Sequence, residues 1–80
     1  MHELGIMIEI VKTVERIAAE QQLTRIDALV LQVGRKSPVV PAYLQACFPA
    51  AVDKTAMADT RLEIEILDGK EFLIKELIAY

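Results

Sequence analysis

Arg61-Leu62-Glu63-Ile64-Glu65-Ile66-Leu67-Asp68-Gly69-Lys70-Glu71-Phe72-Leu73-Ile74 is the stretch that decides the fold. Leu62, Ile64 and Ile66 alternate with Arg61, Glu63 and Glu65, the period of a strand with one face buried. The pattern predicts a strand over 60–66, a tight turn at 67–69 and a last strand over 70–79. Asp68-Gly69 is a hairpin signal. A two-residue loop would set Ile64 against Leu73 and Glu65 against Phe72, which mixes the faces. A three-residue loop, Leu67-Asp68-Gly69, sets Ile64 opposite Phe72 and Leu62 opposite Ile74, so parity favours it. Gly69 then takes the left-handed position of a bulged turn, and Glu65 faces Glu71 on the exposed side. The last strand puts Phe72, Ile74 and Ile78 on one face and Leu73, Lys75 and Leu77 on the other.

Upstream, residues 25–33 form a strand that is apolar on both faces. Leu29, Leu31 and Val33 fall on one side, and Ile26, Ala28 and Val30 on the other, a pattern of two-sided burial. Residues 3–22 carry Leu4, Met7, Val11, Val14 and Ala18 at helical spacing, with Ile8, Ile10 and Ile17 widening the stripe. Pro41 suits the first position of a second helix, which shows Leu44, Cys47, Phe48, Ala51 and Val52 on one side. Pro49 removes a backbone bond to Gln45, so a kink near Phe48 or a second short helix is expected. The order helix-strand-helix-strand-strand gives an α+β fold, with two helices on one face of a three-stranded mixed sheet. Strands one and two are parallel through a right-handed crossover, and strand three is antiparallel to strand two. Leu73, Leu77 and one set from the first strand then line an open face, either a surface for self-association or a partner or one covered by side chains of the long loops.

Eighty residues make one small domain with a thin core. The net charge of −3 with no basic stripe argues against nucleic acid. No apolar run reaches membrane-spanning length, and the opening residues lack the pattern of a signal peptide. Cys47 stands alone, which excludes a disulfide framework and fits a cytoplasmic compartment. It falls on the apolar side of its helix and reads as a small core residue. Met7 and Met57 have no partner sulfur, and Tyr43 and Tyr80 have no base beside them. The strand carboxylates Glu63, Glu65, Glu71 and Glu76 have no spare histidine to join them. No phosphate loop, hydrolase elbow or zinc-protease motif is present, so the chain does not read as an enzyme.

The chemistry lies at Met1-His2-Glu3. His2 is the one histidine. If the mature chain begins at Met1, three nitrogens converge: the Met1 amine, the His2 amide and the His2 ring Nδ1. They close a five-membered and a six-membered chelate ring. Glu3 adds a fourth donor through its amide or its carboxylate. A planar nitrogen array suits Ni(II) or Cu(II) rather than tetrahedral zinc. The same residues also read as an ordinary helix start, with Glu3 at the positive end of the dipole.

Taken together, Met1-His2-Glu3-Leu4 with Ile6-Met7, then Val33-Gly34, Ser37, Val39-Val40-Pro41, Leu44 and Phe48, then Leu62-Glu63-Ile64-Glu65 and Lys75-Glu76-Leu77, resemble the hydrogenase nickel-incorporation protein HypA, a nickel metallochaperone family. The resemblance implies a nickel-binding domain with Met1, His2 and Glu3 as ligands. It implies delivery of Ni(II) to hydrogenase, or urease in some organisms, with a HypB-type GTPase and the nickel-enzyme precursor as partners. The family's zinc domain, with two Cys-x-x-Cys motifs between the second and third strands, is replaced here by the turn near 67–69, so no zinc is expected. Gly5 replaces a small hydroxyl residue of the family, and Pro49 sits where its helix is usually uninterrupted. The alternative is an interaction module that dimerises or binds a partner through the open sheet face and has lost nickel delivery.

Overall fold

A computed structural model describes residues 2–80. The elements are α1 (Glu3–Glu20), β1 (Ile26–Gly34), α2 (Pro41–Val52), β2 (Arg61–Leu67) and β3 (Phe72–Ala79). The expected order and fold class hold. The sheet order is β2-β1-β3, with β1 parallel to β2 and antiparallel to β3.

The hairpin register does not hold. β2 and β3 are not neighbours, because β1 lies between them. Leu31 pairs with Ile64 on one side and Ile74 on the other, and Val33 pairs with Phe72. β1 has the longest unbroken apolar run of the three strands, Ala28–Leu31. It therefore gains most from the centre, where both its edges are paired, the helices cover one face and neighbouring side chains flank Ala28 and Val30 on the other. The connection from β2 to β3 must therefore cross the end of β1. It crosses at Gly34, where a side chain would collide with the carbonyl of Gly69 and would lie 2.9 Å from the Glu71 nitrogen. Three backbone bonds seat the crossing: Gly34 N–H to Glu71 O at 2.6 Å, Arg35 N–H to Leu67 O at 2.8 Å and Lys36 N–H to Gly69 O at 2.8 Å. Gly69 has φ of 110°, so the positive φ expected there is present, though it serves a strap rather than a hairpin. Glu65 does not face Glu71. It accepts from Gln32 Nε2 at 3.0 Å and from Lys75 Nζ at 2.9 Å, across β1 on the open face.

The core lies between the sheet and the helices. Met7, Val11 and Val14 of α1 and Leu44, Phe48 and Val52 of α2 pack on Leu29, Leu31 and Val33 of β1, and Met57 is fully buried in the loop after α2. α2 runs unbroken through Pro49 rather than dividing there. Pro49 and Gln45 are both exposed, so the carbonyl that loses its bond faces the solvent side of the helix.

β3 departs from simple alternation. Its register against β1 shifts between Val30 and Leu31, so that Glu76 pairs with Val30 while Ile74 pairs with Leu31. Lys75 is the extra residue of a bulge. The shift turns Leu77 toward the core with Phe72 and Ile74, and puts Ile78 on the open face opposite Ala28. The expected assignments of these two residues are thus reversed. The open face is also less apolar than expected. Ala28 and Val30 on it are 0% and 3% exposed, flanked in the pairing by Arg61, Glu63, Glu76 and Ile78, and of its apolar residues only Leu73 and Ile78 are substantially exposed.

Candidate metal centre

The first turn of α1 sets the geometry of this end. His2 is the N-cap, exposed, with φ −117° and ψ 29°. Its carbonyl accepts the first helical bond, from Ile6 N–H at 3.0 Å. A ψ this close to zero holds the nitrogens of His2 and Glu3 on the same side of the intervening Cα–C bond, the disposition a five-membered chelate needs. The bridge region of backbone space, in which His2 sits, is sparsely occupied. The Glu3 amide is the first N–H of the helix.

The Glu3 side chain has a different task. It is 4% exposed, and its Oε2 accepts the Val40 N–H at 3.1 Å. The positive amino terminus and the Val40 N–H hold its carboxyl below the usual range. Val40 is the N-cap of α2, so this carboxylate ties the start of one helix to the start of the other. Leu4, expected on the core stripe, is 45% exposed, and Glu3 is inside. The signal was present: Glu3, Met7, Val11 and Val14 fall on one line at helical spacing, and charge alone argued against including Glu3.

Of the three expected ligands, His2 and Glu3 are adjacent at the start of α1, and Met1 lies outside the described residues. Among the described residues, no group of three His, Cys, Asp or Glu side chains is placed to hold a metal ion. Cys47 is half-buried and lines a shallow groove of about 380 Å³ with Glu3, Leu4, Tyr43 and Ala46. Among the described residues, no helix is long and apolar enough to cross a membrane.

The chain is 36% identical over 69 residues to a hydrogenase maturation factor HypA of Rhodopseudomonas palustris, covering 86% of this chain and 61% of the relative. It is 38% identical over 69 residues to that of Deinococcus radiodurans, covering 86% and 58%. It thus spans about three fifths of the length of these curated relatives. The solution structure of the nickel metallochaperone HypA from Helicobacter pylori has the same fold, with a TM-score of 0.74 at 14% identity over 100% of this chain and 94% of that one. The family model for HypA, described as hydrogenase/urease nickel incorporation and metallochaperone, matches residues 1–75, and the chain belongs to that family.

Proposed function

We propose that this protein binds Ni(II) through its amino-terminal end and delivers it to a nickel enzyme under assembly, hydrogenase or urease. The donors are the Met1 amine, the His2 amide, the His2 Nδ1 and the Glu3 amide. The carrying observation is the N-cap conformation of His2, whose ψ of 29° sets two successive backbone nitrogens side by side. The Glu3 carboxylate already accepts from Val40, which favours the Glu3 amide over the carboxylate as the fourth donor. Amine, amides and imidazole must all shed protons to bind, so affinity rises with pH. Three of these nitrogens can share the plane that Ni(II) prefers, since the His2 amide, chelated to each of the others, has only two neighbours in it. His2 is exposed, which leaves the ion accessible for transfer to an acceptor.

The wider role follows the family. The chain acts as a single nickel-binding domain in the cytoplasm, without a structural zinc, and is a carrier rather than an enzyme. A HypB-type GTPase and the nickel-enzyme precursor are its partners.

Nickel titration of protein carrying a native first residue, followed by the absorption and circular dichroism of square-planar Ni(II), tests the reading. One ion binds per chain. His2→Ala or residues added ahead of Met1 abolish the signal, and Glu3→Gln retains it. Unchanged binding in His2→Ala would end the proposal. Loss of the planar signature in Glu3→Gln would move the fourth donor to the carboxylate.

A further inference from the structure

We propose that two copies of this chain join along the outer edges of β3, making one six-stranded sheet with a two-fold axis between Lys75 and Glu76. This goes beyond nickel binding and does not depend on it.

The order β2-β1-β3 leaves β3 with an unpaired edge. Its hydrogen-bonding pattern shows which groups that edge presents. The Glu71 carbonyl accepts from Gly34, and Tyr80 exchanges backbone bonds with Thr24 and Arg25, so residues 71 and 80 point their backbone groups inward. Alternation from both ends turns those of Leu73 and Ile78 inward too. Phe72, Ile74, Leu77 and Ala79 are left with N–H and C=O groups pointing out. Their side chains all sit on the helix side of the sheet, half-buried against the core.

A two-fold antiparallel partner matches this edge in one register. Phe72 falls opposite Ala79, Leu73 opposite Ile78, Ile74 opposite Leu77 and Lys75 opposite Glu76, each pair occurring twice. In an unbroken strand that register would set residues from opposite faces against each other. The bulge at Lys75 reverses parity halfway, so every pair shares a face and outward backbone groups meet outward backbone groups. Leu73 and Ile78, 44% and 36% exposed, cover one another. Lys75 meets an acidic partner at the axis and, with three N–H donors, can keep Glu65 as well.

The other edge does not offer this. Gln45 Nε2 of α2 donates to the Leu62 carbonyl at 3.3 Å, covering part of the β2 edge. A two-fold pairing centred on Ile64 would set Glu63 against Glu65, and one centred on either glutamate would set it against itself.

Sedimentation equilibrium of the metal-free 80-residue chain tests the inference, together with amide exchange at Ile74 and Leu77. The chain dimerises reversibly below about 1 mM, and those two amides become protected as the dimer forms while the Ile64 amide does not. Glu76→Lys sets two pairs of lysines face to face and weakens association about tenfold or more. Mixing it with Lys75→Glu restores association, because every central pair is then of opposite charge. A monomer at about 1 mM, a dimer whose Ile74 and Leu77 amides stay open, or a folded Glu76→Lys chain that dimerises as tightly as the parent would each overturn the proposal. Should Lys75→Glu not fold, the exchange measurement decides alone.

Discussion

Adding one methyl group at Gly34 and one at Gly5 should move stability in opposite directions. At Gly34 the new Cβ would meet the Gly69 carbonyl carbon at 2.6 Å and the Glu71 nitrogen at 2.9 Å. Both belong to backbone, so no side chain can swing aside. The strap from β2 to β3 must lift, which strains the bonds from Gly34, Arg35 and Lys36 to Glu71, Leu67 and Gly69. Overpacking of this kind costs about 1–3 kcal/mol, and each lost hydrogen bond a further ~1 kcal/mol. The stiffer unfolded chain returns about 0.4–1 kcal/mol. Gly34→Ala is therefore expected to lose about 2–4 kcal/mol. In a domain of this size that lowers Tm by roughly 10–25 °C. Gly5 lies in the first turn of α1 with nothing within 4 Å of an added Cβ. Gly5→Ala should gain about 0.5–1 kcal/mol, because alanine has the higher helix propensity. Urea unfolding of both variants at one temperature gives the comparison. A Gly34→Ala chain as stable as the parent would refute the crossing strap, since a β2–β3 hairpin beside β1 has no reason to exclude that methyl.

Other outcomes follow from single contacts. The Gln32 amide first and the Lys75 ammonium second hold the Glu65 carboxyl below its ordinary value of 4.5, and Glu65 holds the Lys75 ammonium above 10.5. Folding thus favours both charged forms. Their contribution is full between those ordinary values, fades as pH falls through the lowered Glu65 value, and fades as pH rises through the raised Lys75 value. The difference in urea midpoint between parent and Lys75→Met should accordingly be largest near neutrality and vanish at both extremes. Thr60 is buried, and its Oγ1 donates to the Ile26 carbonyl at 2.7 Å. Thr60→Val leaves that carbonyl unpaired and should cost about 1–3 kcal/mol in denaturant melts, with Thr60→Ser costing less. Glu3→Ala should speed amide exchange at Val40 more than Glu3→Gln, which keeps an acceptor within reach of that N–H. Met57→Ala removes a fully buried side chain and should cost about 2–5 kcal/mol by the same melts.

The elements were legible because periodicity is local. Alternation fixed β2, and the stripe through Met7, Val11 and Val14 fixed α1. Strand order was not, because it depends on competition between distant segments for the central place. Asp68-Gly69 reads as a hairpin from its neighbours alone, and Gly34, which permits the crossing, lies 35 positions earlier. Yet the apolar run of β1 on both faces already held the decisive signal. A strand buried on two sides cannot sit at the edge of a three-stranded sheet without exposing one row of backbone groups, so β2 and β3 had to flank it. The bulge at Lys75 was hidden for a related reason: a one-residue shift shows only in the pairing, and it moved Leu77 into the core. At the amino end the residue types suggested a chelate. The partner of the Glu3 carboxylate is an N–H, a group every non-proline residue carries and no sequence pattern marks.

The strap over Gly34 and the buried Glu3 carboxylate meet at one pole of the domain. The strap over Gly34 rests on Lys36 through Gly69, the Ser37 N–H returns to the Gly34 carbonyl at 3.0 Å, and the Val39 N–H reaches Ser37 Oγ at 3.1 Å. Val40, next in the chain, holds the Glu3 carboxylate at 3.1 Å. A short run of hydrogen bonds thus links the β2–β3 connection to the residue beside His2. The HypA relatives are longer than this chain. Any segment inserted at the connection would emerge at the same pole as the His2 and Glu3 nitrogens proposed as donors, joined to them through 34–40 rather than through the core. Displacing the strap should then disturb the seating of Glu3 before it disturbs Met7, Val11 or Val14, because those core residues share none of the strap's backbone bonds, whereas Val40 lies four residues beyond Lys36, which bonds to Gly69.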